Sequence, residues 1–140
     1  MNELPLRRLD PAAVLPTRAH ADDAGLDLYG LEDATVASGE GKLLRTGVAV
    51  AIPAGHVGLV CDRSSLAKRG LKTAGGVIDA GYRGEIGVVV WNISTAPQAV
   101  KKGERIAQML VIPIATPAPV ETEDLGETLR GAGGFGSTGR

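Results

Sequence analysis

An all-β sandwich or barrel is the fold class this sequence predicts, on three observations. Short runs of Val and Ile are cut by Gly and Pro about every eight to twelve residues. Glycine and proline number 20 and 8 among 140 residues, which favours many turns. Aromatic residues are scarce (one Trp, two Tyr, one Phe), so a core of Val, Ile, Leu and Ala is expected. With 44% hydrophobic and 22% charged residues, the chain has room for about one domain with a real core.

Strands are expected at Gly25 to Tyr29, Lys42 to Ile52, His56 to Cys61, Leu71 to Thr73, Glu85 to Ser94 and Arg105 to Ile114. Pro53-Ala54-Gly55 reads as a turn, since Pro presets φ and Gly accepts positive φ, and it predicts a hairpin between the second and third strands. Ser64 to Gly70 breaks the pattern. N-cap serines, good helix formers, a basic last turn and a terminating Gly predict one short helix there. After Ile114, ATPAPVETEDLGETL is rich in Pro, Thr and acid without hydrophobic period, as for an arm that tracks a surface. Arg130 to Arg140 carries five glycines and is expected to be mobile when alone.

The charge balance, 15 basic against 16 acidic residues, gives no bulk attraction to nucleic acid or membrane, and neither partner is expected. The single cysteine, Cys61, has no partner thiol for a disulfide or a metal pair, which fits a reducing cytoplasm. Glu3, Arg7, Arg8 and Asp10 interrupt any apolar core of a signal peptide, and no apolar run is long enough to cross a bilayer.

Several groupings have the residue types for chemistry. Arg63-Ser64-Ser65 follows a strand and opens the helix, so free N–H groups, two hydroxyls and a guanidinium can converge on an anion such as phosphate; the plainer alternative is a capping serine beside a surface arginine. Within Gly76-Val77-Ile78-Asp79-Ala80-Gly81-Tyr82-Arg83-Gly84, a carboxylate and a phenol stand three residues apart on a Gly-flanked turn. Asp79 is a candidate general base and Tyr82 a flat face with a hydroxyl for a sugar or base, against ordinary turn bonding and coverage of the core edge. Asp27 alternates with Leu26 and Leu28 and is either solvated or poised for a hard cation. Gln108, on the strand face of Ile106, Leu110 and Ile112, either satisfies backbone at a sheet edge or reaches a ligand. Phe135, the only Phe, lies inside the Gly-rich tail, where mobile N–H groups, arginines and one aromatic suit a lid over phosphates and a base, unless the tail is a disordered terminus. Gly131 and Gly136 have P-loop spacing, but Ser137 stands where its lysine belongs, so a P-loop ATPase is not expected.

In this order, AGLDLYG, RSSLA, GVIDAGYRGEIG, GERIAQMLVIP and RGAGGFGSTG resemble the five motifs of the trimeric deoxyuridine triphosphatases, from about Ala24 to Gly139. The resemblance implies a jelly-roll-like subunit in a homotrimer, with residues 1–125 as the β domain and 126–140 as an arm closing a neighbouring subunit's site. It implies Mg²⁺-assisted hydrolysis of dUTP to dUMP and pyrophosphate, which limits uracil incorporation into DNA and supplies dUMP for dTMP synthesis. By matching position, Asp79 would orient the 3′-hydroxyl and the attacking water and act as base at the α-phosphorus. Tyr82 would pack beneath the deoxyribose and exclude a 2′-hydroxyl. Backbone at Gly76, Val77 and Ile78 would pair with the uracil edge, rejecting other bases by unpaired polar groups. Arg63, Ser64, Ser65 and Gln108 would serve the triphosphate, and Asp27 would hold the metal through water. From the arm, Arg130, Gly136, Ser137 and Thr138 would meet phosphates while Phe135 stacks over uracil.

Two positions depart from the family's pattern. Asp62 replaces a common proline and adds negative charge near the phosphates, and Thr73 stands where many bacterial members have asparagine. The related dCTP deaminases would need a glutamate on the strand after the turn, where this sequence reads Ile86 to Trp91, with Glu85 too early. A zinc deaminase using Cys61 lacks further ligands at suitable spacing. A dUTP sensor without turnover is disfavoured by the intact Asp79 and arm.

Overall fold

A computed structural model describes residues 3–136 and 139. Among these residues there are eleven strands: β1 (Leu6–Arg8), β2 (Leu26–Tyr29), β3 (Ala34–Val36), β4 (Gly41–Arg45), β5 (Val48–Val50), β6 (His56–Cys61), β7 (Leu71–Ala74), β8 (Val77–Ile78), β9 (Gly87–Asn92), β10 (Gln98–Val100) and β11 (Arg105–Pro113). One helix, α1 (Ser64–Lys68), lies between β6 and β7. Every pairing is antiparallel. One sheet has the order β2-β11-β6-β8, a second β4-β9-β7, and two-stranded sheets pair β1 with β5 and β3 with β10. The result is a jelly-roll-like sandwich rather than a closed barrel.

Alternation builds its core. Leu26 and Leu28 of β2, Val60 of β6, and Ala107 and Met109 of β11 pack in one cluster with Leu44 of β4, Leu71 of β7 and Val88 and Val90 of β9. The inner faces of both main sheets therefore meet in a single apolar layer. No aromatic side chain belongs to it, as the composition predicts. Asn92, fully buried, donates to the Val36 and Ala96 carbonyls and accepts from the Ser94 N–H and Oγ, so this buried amide is paired throughout.

Three local expectations need correction. Lys42 to Ile52 is two strands, broken at Thr46-Gly47, where Gly47 takes a φ of 71° that L side chains resist. The Thr46 hydroxyl donates to the Ile86 carbonyl at 2.6 Å and fixes the break. Pro53 to His56 does turn, with the His56 N–H on the Pro53 carbonyl, but β5 pairs with β1 while β6 pairs with β11 and β8, so there is no hairpin. Helix α1 is placed as expected, yet its N-cap is Arg63 and no side chain caps it.

Candidate active site

Two clefts on the chain gather most of the residues singled out from sequence. The first, about 400 Å³, is lined by Asp27, Arg63, Ser64, Arg105 and Gln108, with Gly25 in its wall. Strand β2 supplies Asp27, half-buried between the core residues Leu26 and Leu28 as alternation requires. Arg63 Nε and Arg105 Nη1 each stand 3.5 Å from one of its carboxylate oxygens. Two guanidiniums thus bracket one carboxylate, while Asp23, the second carboxylate of the lining, is occupied by the His20 N–H and ring.

A β-bulge makes that arrangement. Arg105 and Gln108 are an odd number of residues apart, and a regular strand would send them to opposite faces. The register of β11 on β2 shifts between Arg105 and Ala107, which buries Ile106 with Ala107 and turns both polar side chains into the cleft. Gln108 therefore does not share a face with Ile106. Its Nε2 donates to the Asp62 carbonyl at 2.8 Å, and a Cβ on Gly25 would overlap its Oε1. Ser64 and Ser65 are exposed, and because neither hydroxyl caps the helix both remain available along with the Ser64 and Ser65 amides, while the Leu66 N–H is taken by the Arg63 carbonyl.

The second cleft, about 470 Å³, is lined by Gly76, Val77, Ile78, Asp79 and Tyr82 together with Leu43, Arg45 and Glu85. Gly76 has a φ of 98°, and a Cβ there would lie 2.8 Å from the Val60 carbonyl, so only glycine fits. Its own carbonyl accepts the Val60 N–H at 2.8 Å. Val77 and Ile78, expected within the turn, form strand β8 at the edge of its sheet, leaving one side of its backbone unpaired. The Tyr82 N–H bonds to the Asp79 carbonyl at 3.1 Å, so main chain closes this turn while the Asp79 carboxylate has no hydrogen-bond partner among the described residues. The Tyr82 hydroxyl donates to the Glu85 carbonyl at 2.6 Å, leaving the ring face as the group on offer.

Arg45 and Glu85, which the sequence did not single out, form a two-pronged pair at 2.9 and 3.1 Å. The Arg45 donors, followed in effect by partial burial that opposes them, leave the Glu85 carboxyl below its ordinary range. Arg105 was also passed over. Its signal was present, three residues before Gln108 on the same strand, but only the bulge gives it meaning.

The described residues of the arm join neither cleft. From Ile114 to Gly136 no strand forms, and Phe135 and Leu129 are fully exposed. Arg130 Nε bonds back to the Gly133 carbonyl at 2.7 Å, and Gly136 is exposed. Ser137 and Thr138 lie outside the described residues.

An antiparallel sandwich with a cleft that gathers two arginines, Ser64 and Gln108, and a separate turn offering a carboxylate, an aromatic face and free backbone, has the equipment of a nucleotide-handling protein. The family model for dUTPase matches residues 12–139. The chain is 51% identical to the deoxyuridine 5′-triphosphate nucleotidohydrolase of Nocardia farcinica, covering 99% of this chain and 87% of that one. It is 50% identical to the same enzyme of Mycobacterium tuberculosis, over 97% and 94%. Among solved structures, the Staphylococcus bacteriophage 80alpha dUTPase with dUpNHpp aligns with a TM-score of 0.94 at 32% identity over all of both chains. A variant dUTPase from phage phi11 of S. aureus, in which the coordination of a structural Mg(II) ion is described, aligns at 0.82 and 30% identity over 89% and 99%. The chain belongs to the dUTPase family.

Proposed function

We propose that this protein hydrolyses dUTP to dUMP and pyrophosphate, using the arginine cleft for the triphosphate and the Asp79–Tyr82 cleft for the nucleoside. The observation that carries this reading is the division itself: anion-binding groups in one cleft, and a base-reading edge, a sugar-sized aromatic face and an unpartnered carboxylate in the other.

Asp79 accepts a proton from water aligned for attack at the α-phosphorus. A carboxylate is a weak base, so alignment contributes as much as proton affinity. Tyr82, held by Glu85, presents its ring beneath the deoxyribose. The open edge of β8 at Val77 and Ile78, with Gly76, offers donors and acceptors to uracil, and a mismatched base would leave them buried and unpaired. Arg63, Ser64, Ser65 and Gln108 hold phosphate oxygens and stabilise charge on the departing pyrophosphate. Arg130, Gly136, Ser137 and Thr138 would close over the phosphates and Phe135 over the base.

The described residues contain no cluster of three His, Cys, Asp or Glu side chains suited to a metal. A Mg²⁺ ion held mainly by phosphates and water, with Asp27 bonding to its water shell, fits a cleft whose two carboxylates are already paired, Asp27 with the two arginines and Asp23 with His20. When bound, it would neutralise phosphate charge.

A homotrimer with sites at its junctions is supported by an unpartnered apolar face. Strand β9 is apolar on both sides: Val88 and Val90 point inward, while Val89, Trp91 and the following Ile93 are exposed outward beside Leu43 of β4. Leu43 also lines the Asp79 cleft, so this face runs into the site. An arm with Val120, Leu125, Leu129 and Phe135 exposed similarly calls for a neighbouring surface. Among the described residues no helix is long and apolar enough to cross a membrane; with one cysteine, a cytoplasmic setting is proposed.

Chromatographic product analysis with Mg²⁺ and, separately, dUTP, dCTP, dTTP and UTP tests the reading. dUMP and pyrophosphate should form from dUTP alone; deamination of dCTP, or binding of dUTP without product, would overturn it.

A further inference from the structure

We propose that Asp62 is a positioning residue for triphosphate binding, strapping the junction of β6 and α1 to β7 so that Gln108 and Arg63 are held at the arginine cleft. The proposal rests on the reading of that cleft as the triphosphate site.

A carboxylate one residue before Arg63 ought to repel an anion, but this one is committed elsewhere. Oδ1 accepts the Thr73 N–H at 2.6 Å and the Thr73 hydroxyl at 2.9 Å, and Oδ2 is paired with the Lys72 ammonium. Partial burial works to raise the Asp62 carboxyl, yet the Lys72 and Thr73 donors together outweigh it and hold it below the ordinary carboxylate range. The charge is thus neutralised on the side of β7.

The strap joins the two main sheets, since β6 belongs to one and β7 to the other. Its output is the Asp62 carbonyl, which accepts Gln108 Nε2 at 2.8 Å, while the next residue caps α1 and reaches Asp27. Asp62 and Thr73, two separate departures from the family's pattern, are halves of one interaction.

The test uses the full-length protein and the variants Asp62→Ala, Asp62→Asn and Thr73→Val, with melting temperature, oligomeric state, and affinities for a non-hydrolysable dUTP analogue and for dUMP. Asp62→Ala and Thr73→Val should weaken the triphosphate analogue about tenfold, the scale of one lost charge-assisted hydrogen bond, and leave dUMP within about twofold. Asp62→Asn keeps an acceptor for Thr73 and should restore most of the analogue's affinity. Unchanged or tighter analogue binding in Asp62→Ala and Thr73→Val would overturn the proposal, as would parallel weakening of both ligands with a lower melting temperature, the mark of a merely structural tie. Ser64→Ala separates the failures: if it leaves analogue binding intact, or the parent protein does not hydrolyse dUTP, the reading of the cleft itself has failed.

Discussion

The arginine cleft draws its side chains from strand interiors and from the first turn of a helix, and cross-braces them: Asp27 lies between two arginines, and Gln108 is tied to Asp62. The Asp79 cleft instead hangs on a turn at a sheet edge, with the Asp79 carboxylate, the proposed base, exposed and apolar Leu43 and Val77 for walls. A braced cleft suits a strongly charged ligand portion, as proposed for the triphosphate. The open one leaves Asp79 exposed, and the described residues of the arm pack on neither cleft, which supports the proposal of a site completed by another chain.

The largest change should come from the open cleft. Asp79→Asn, nearly isosteric, should lower kcat about a thousandfold while dUTP-analogue affinity stays within a few-fold, by stopped-flow and equilibrium binding; equal loss in both would make Asp79 a binding group instead. Removing residues 130–140 comes next, with activity down about a hundredfold and the trimer intact by light scattering. Full activity in that truncation would deny the arm its closing role. Gly25→Ala probes the braced cleft, because the new methyl must displace Gln108; KM should rise about tenfold with kcat nearly unchanged. Smallest is Glu85→Gln. The Glu85 carboxyl lies below its ordinary value in the folded state, so its pair with Arg45 contributes stability at neutral pH that is lost as acid protonates it. The variant should melt slightly lower at pH 7 and no differently from the parent in strong acid, by calorimetry.

What the sequence made legible follows the same division. Alternation placed Asp27 opposite Leu26 and Leu28, and motif order placed Asp79 and Tyr82 on one turn, because both are local properties. Strands β1, β3, β8 and β10 are not legible in the sequence because a run of two or three residues has too little period to register. The bulge at Ile106, the break at Gly47 and the Asp62–Thr73 tie were illegible for another reason. Each depends on a partner distant in sequence, and none alters composition.

Complementation between two inactive variants tests most directly whether the site is shared. Arg63→Ala spoils the braced cleft and Asp79→Asn the open one; each alone should be nearly inactive. Unfolded together in equal amounts and refolded, they should regain about a quarter of wild-type dUTP hydrolysis, since random assembly joins an intact braced cleft to an intact open cleft at one junction in about four. Mixed trimers no more active than either parent would mean that both clefts of a site belong to one chain.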